Sequence, residues 1–229
     1  MAQIWLRIRA PFAAFRGFQA GVYRASAPVM PPSTAYGLVL NLAGIEMRDS
    51  TPGVTTTIRA DIPRLRIAVG VISQPERASL YQQLHSYPVG ASGKELKEKT
   101  HGAKFWITPV RRELLVDYDG IIGVETDDES LLDRIKKGIR GELGEPRYGL
   151  PFLGDNNLLI DRIDVLEALE KETYWYARMM PDDAPRKGSC RLTVGINRTD
   201  NSRTTSFLYA PLNSILPPES AWTWTPAEA

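Results

Sequence analysis

A chain of 229 residues with 43% hydrophobic and 24% charged residues reads as a folded globular protein, long enough to bury a substantial core. Its single cysteine, Cys190, excludes an internal disulfide and a cysteine-built zinc cluster, and no apolar run approaches the roughly 20 residues that span a bilayer. The net charge of +1 conceals a division: residues 1–112 carry 15 Lys and Arg against 6 Asp and Glu, whereas residues 113–229 carry 13 against 21. A basic half and an acidic half fit one surface turned to a polyanion and another turned to solvent or a protein partner.

Residues 4–8 alternate Ile4, Leu6 and Ile8 with Trp5 and Arg7, which predicts a strand with one apolar and one basic-aromatic face. The segment is too short, and too interrupted by Arg7 and Arg9, to act as a secretory signal, so a cytoplasmic protein is expected. Arg16 and Arg24 follow among Gly17, Ala20 and Gly21, where backbone can come close to another molecule. Pro31 and Pro32 hold an extended approach. Ser33 then offers an N-cap oxygen, and Ala35, Leu38, Val39, Leu42 and Ile45 predict a helix over about 34–46. Free N–H groups at that helix start, with two arginines upstream, make a place to hold phosphate. A packed helix beside solvated arginines is the plainer reading of the same pattern.

Strands are expected over 55–60 and 65–72. Residues 74–104 lose clear periodicity and include GASGKELKEKTHGAK, which sets Lys94, Lys97, Lys99, His101 and Lys104 among glycines. This segment is either a solvated loop or a basic hairpin that leaves the body to grip a nucleic-acid backbone. Further strands are expected over 105–110, 113–118 and 121–125. Thr126 and Glu129 then form a capping-box pattern, and Leu131, Leu132, Ile135 and Ile139 mark a helix face. PRYGLPFLGDNN breaks that helix before a strand over 158–165. Residues 191–196 and 204–209 flank NRTDNSR as a hairpin, and the tail from Pro217, with Trp222 and Trp224, reads as extended. The order predicts an α+β protein. A ferredoxin-like β-α-β-β-α-β domain covers 1–165 with a basic insertion at 74–104, and a β-rich portion over 166–229 leans on it.

Catalytic and metal-binding patterns are poor: the chain has no G-x-S-x-G, no phosphate-loop lysine motif and no H-E-x-x-H. Asp127, Asp128, Glu129 and Asp133 cluster at a predicted helix start, where they favour the macrodipole without a metal. No metal or cofactor is expected. Trp5, Arg7, Arg9, Arg16, Phe18, Tyr23 and Arg24 offer the cationic and stacking groups that single-stranded RNA needs.

Gly21, Arg24, Pro28, Pro32, Ser33, Tyr36, Gly37 and Leu38, placed after an N-terminal strand, resemble the opening of a CRISPR-associated RAMP protein. The resemblance is to the fifth family of Cas proteins, the Cascade subunit that caps the 5′ handle of CRISPR RNA (crRNA). AYGLVLNLAGIE is similar to its type I-B and Myxococcus-like branch, and PRYGLPFLGDNN to the glycine-rich RAMP signature in a weaker form. The resemblance implies an RNA-binding surface from Arg7, Arg9, Arg16, Tyr23, Arg24, Ser33, Thr34, Tyr36, Lys94, Lys97, Lys99, His101, Lys104, Tyr148 and Gly149. It implies as partners the crRNA handle, the Cascade backbone subunit, the Cascade large subunit and, through the complex, target DNA. One branch of that family cuts RNA with a tyrosine and an adjacent lysine–histidine pair. Here Gly102 and Ala103 separate His101 from Lys104, so a noncatalytic binder is expected, and a metal-independent endoribonuclease is the alternative.

Overall fold

The computed structural model describes residues 1–17, 23–50, 57–88, 105–197 and 203–226. In chain order the elements begin with β1 (Ala2–Ala13), β2 (Phe15–Arg16), β3 (Tyr23–Arg24), β4 (Ser26–Ala27) and α1 (Pro32–Leu42). Next come β5 (Leu65–Val71), β6 (Glu76–Pro88), β7 (Phe105–Thr126), α2 (Glu129–Arg140) and β8 (Arg162–Leu166). The chain closes with β9 (Thr173–Arg178), β10 (Cys190–Gly195), β11 (Thr205–Ser214) and β12 (Thr223–Thr225). The core of the sheet runs β8-β1-β7-β5, each neighbour antiparallel. With α1 after β1 and α2 after β7, this is the ferredoxin-like order expected from the sequence.

Alternation along β1 decides which face each side chain takes. Leu6 and Ile8 are fully buried beneath the helices, beside Val39, Leu42 and Ile135. Trp5, Arg7 and Arg9 take the opposite face. The helices touch where Gly138 meets the end of α1: a Cβ there would lie 1.6 Å from the Leu42 carbonyl oxygen, so only glycine permits this approach.

Both helix starts differ from expectation. Pro31, not Ser33, is the N-cap of α1, with no side-chain cap bond, because Pro31 holds extended backbone and Pro32 is already set for the first helical position. The expected length also shortens, since Gly44 at φ +68° turns the chain before Ile45. At α2 the cap is Asp128, whose carboxylate accepts the Leu131 N–H at 3.2 Å, while Thr126 Oγ1 accepts the Asp128 N–H at 3.1 Å. Gly141 at φ +76° closes that helix in left-handed backbone.

The segment without periodicity contains a strand. β6 pairs with β7 from Glu76–Val116 to Pro88–Phe105, and β7 is one 22-residue strand where three were expected. β1 leaves β7 at Leu115, so among the described residues the far half of this ribbon has only two-residue β3 beside it. Over 76–81 β6 is exposed on both faces, so it needs no apolar alternation. Leu80 and Tyr81 stay 45% and 66% exposed. Lys94, Lys97, Lys99, His101 and Lys104 lie outside the described residues. Within those residues the strand expected over 55–60 reduces to one bridge, Arg48–Ile58.

Beyond β5 the sheet continues as β9, β11 and β10, with β12 on the other end of β5. β10 and β11 form the expected hairpin. Strand β9 carries no alternation signal, because Trp175, Tyr176 and Ala177 are all buried. The tail is not free: a short 3₁₀ turn over Glu219–Ala221 leads Trp222 onto Trp5, ring centroids 5.8 Å apart, and Trp175 stands 5.9 Å from Trp5 on the same face.

Candidate nucleic-acid interface

The chain between β1 and α1 is tied down at each step. The Ala14 N–H donates to Leu153 O at 3.1 Å, and the Phe15 N–H to Ser26 Oγ at 2.9 Å. Ser26 N–H donates in turn to Glu113 at 2.8 Å, and Arg77 donates to the same carboxylate at 2.9 and 3.0 Å. β2 pairs with β4, and β3 runs parallel to β7 so that Arg24 stands opposite Arg112. These ties place Arg16 and Arg24 in a cleft of about 210 Å³ completed by Arg112, Glu113, Gly154 and Asp155.

The loop after α2 forms the cleft wall. Gly154 has φ +81°, and a Cβ there would meet the Ala14 carbonyl oxygen at 1.9 Å. Asp155 Oδ1 accepts from the backbone N–H and the side-chain amide of Asn157, both at 2.9 Å, and Oδ2 accepts from Arg112. Burial pushes the Asp155 carboxyl up, but the Asn157 N–H and the Arg112 guanidinium outweigh it and hold the group below the ordinary carboxylate range. Glu113 and Asp155 thus offset Arg77 and Arg112. Neither Arg16 nor Arg24 has an ion pair or side-chain hydrogen bond among the described residues. Two guanidiniums with open donor forks suit phosphate.

The remaining predicted residues fall into separate places. Arg7 is bound by Asp119 at 2.8 and 2.6 Å, and Arg9 meets Asp164 at 3.1 Å, a carboxylate shared with Arg162. Both belong to an ion-pair ladder on the sheet face away from the helices, so their charge is already countered within the protein. The chain separation of the partners hides the pairing in the sequence. Tyr23, 45% exposed, is in β3 beside Arg24 and remains available to stack.

Ser33 and Thr34 are half-buried in the first turn of α1. Pro31 and Pro32 have no N–H, and those of Thr34 and Ala35 go to Pro31 O, so the expected set of free donors shrinks to Ser33. Tyr36 is 4% exposed and donates to Pro63 O at 2.6 Å, with burial pushing its phenol up. It packs in the core, where its ring is not presented to a strand at the surface. Tyr36→Phe should cost about 1 kcal/mol of stability and leave RNA retention unchanged; a thermal melt and a binding titration of the variant check both.

Tyr148 and Gly149 lie at the opposite end of α1, where Asn41 Nδ2 donates to Tyr148 O at 2.8 Å and Arg48 stacks 3.4 Å from the Tyr148 ring centre. Residue-type reasoning passed over Arg112 and Asp155. The Arg111–Arg112 pair was the signal available for the first. The second became visible only when the glycine-rich loop met β7.

The family described as CRISPR-associated protein (Cas_Cas5) matches residues 3–143. No curated protein matches the chain. A solved structure described as "CRISPR RNA-guided surveillance complex" is similar with a TM-score of 0.59 at 14% identity, over 93% of this chain and 90% of that one. A second, "Crystal structure of Cas protein", has a TM-score of 0.48 at 12% identity, over 96% of this chain and 97% of that one. The first likeness carries the fold over nearly the whole length of both chains.

Proposed function

Because the chain belongs to the Cas5 family of CRISPR-associated proteins, we propose that its arginine cleft holds the 5′ handle of crRNA without cutting it. In this reading the protein is a subunit of a Cascade effector complex that caps one end of the backbone filament. The observation that carries it is the convergence of Arg16 and Arg24, both without a protein counter-charge among the described residues, on one formed cleft. Phosphates of a single strand would neutralise the two guanidiniums, and Tyr23 beside them would stack a base. The β6–β7 ribbon leaves the body next to the cleft, which suits it to reach the backbone subunit, and the large subunit completes the assembly. Target DNA would be read by guide pairing, with sequence specificity in the RNA.

General acid–base cleavage of RNA needs groups at both the 2′-oxygen and the leaving oxygen. Tyr36, the tyrosine that would serve such chemistry, is shut in the core with its hydroxyl engaged, which supports a binder over a nuclease. Labelled repeat RNA titrated with the protein tests the reading. Arg24→Ala should weaken retention by about 1–3 kcal/mol, and the wild-type RNA should stay full length with or without Mg²⁺. Unchanged retention in Arg24→Ala and Arg16→Ala would remove the cleft assignment. A single cut upstream of the spacer would make the protein a nuclease.

A further inference from the structure

Two arginines in the cleft are open and the third is not. Arg24 and Arg112 are direct partners across β3 and β7, and like charges so placed repel. Asp155 takes up Arg112, and both side chains of that pair are only 18% exposed. The carboxylate is itself fixed: Asn157 grips its other oxygen through two bonds of 2.9 Å, and Gly154 is wedged against Ala14 O. We infer that Asp155 is a restraint on Arg112, holding its charge back from the ligand so that Arg16 and Arg24 alone grip the anion. The consequence is selectivity. The cleft has enough charge for one strand's phosphates at a defined position, and the carboxylate at its wall turns away further phosphate that a three-arginine site would gather indiscriminately.

This inference rests on the cleft being the RNA site, and counterion release separates the two claims. For single strands, each phosphate neutralised contributes about 0.7 to the slope of log affinity against log salt. Repeat RNA titrated over a salt series should give a slope lower by about 0.7 in Arg24→Gln and unchanged in Arg112→Gln. Asp155→Asn, which keeps an oxygen acceptor for Asn157 and replaces the acceptor for Arg112 with an uncharged N–H donor, should raise the slope by about 0.7. Asp155→Asn combined with Arg112→Gln should return it to the wild-type value. A purely structural Asp155 would lower affinity without raising the slope. A loss in Arg112→Gln equal to that in Arg24→Gln, or an unchanged slope in Asp155→Asn, overturns the restraint.

Inorganic tripolyphosphate titrated over the same salt series and variants asks about the anion site without RNA. Tripolyphosphate retained with this pattern of slopes, while repeat RNA is not retained, would sink the handle reading and keep the restraint. Wild-type protein that retains neither probe would sink both.

Discussion

Trp175→Ala is expected to lower stability by about 3–5 kcal/mol, the range for removing a fully buried large aromatic. Trp175 has no exposed surface. It fills the space left by Gly70, whose absent Cβ would lie 2.7 Å from Thr173 Cγ2 and 2.9 Å from Trp175 Cε3. Its ring packs on Trp5, and its Nε1–H donates to Ile215 O at 3.3 Å. The contact between β5 and β9 is only two residue pairs long, Gly70–Trp175 and Val71–Tyr174. The strands added beyond β5 therefore depend on this side chain more than on ladder hydrogen bonds. For a chain of this size the loss corresponds to a fall in Tm of roughly 6–20 °C. Calorimetry on Trp175→Ala and Trp175→Phe checks it, with the phenylalanine expected between alanine and wild type. A shift of under about 2 °C in the alanine variant would show that the added strands are held by other contacts.

The second large effect is expected at Gly154, and it joins stability to the site. Alanine there meets two penalties: a left-handed φ of +81°, and a Cβ within 1.9 Å of Ala14 O and 2.7 Å of Ala14 C. Backbone on both sides leaves nothing flexible to yield. The loop has to lift, and with it go the Leu153–Ala14 hydrogen bond and the seat of Asp155. A cost of about 2–4 kcal/mol and a clear loss of RNA retention are expected. Gly149 is the internal control, with a similar φ of +71° but nothing within 4 Å of its would-be Cβ. Gly149→Ala should cost about 1–2 kcal/mol from backbone conformation alone and leave the cleft intact. Chemical denaturation and an RNA titration of both variants decide the matter. Equal stability losses at the two positions would mean that the contact with Ala14 does not fix the loop.

Much of the fold was legible where one face is wet and the other dry. Leu6 and Ile8 in β1, and Leu131, Leu132 and Ile135 in α2, announce their elements through spacing, because burial on one side imposes a period. The same logic explains the failures. β9 is buried on both faces and β6 is exposed on both over 76–81, so neither carries an alternating pattern. Pro31 takes the cap at α1 because extended proline backbone does the geometric work that a serine would do with its side chain.

The candidate site was legible in part. Arg16 and Arg24 stand out by their glycine-rich setting, and they reach the cleft. Arg7 and Arg9 have the same residue type in an equally basic stretch, yet Asp119 and Asp164 neutralise them from positions far along the chain. Residue type and local spacing do not reveal such partners. The ferredoxin-like order, which brings β8 and β7 to either side of β1, is what reveals them.

These two sets of arginines define the most direct test. Ultraviolet crosslinking of photoreactive repeat RNA to the protein, followed by mass spectrometry of the linked peptides, locates the strand on the surface. The cleft reading predicts links on the peptides around Tyr23, Arg24 and Arg112, reduced in Arg24→Ala. Links confined to peptides around Trp5, Arg7 and Arg162, on the sheet face away from the helices, would contradict it and place RNA on the ion-pair ladder instead.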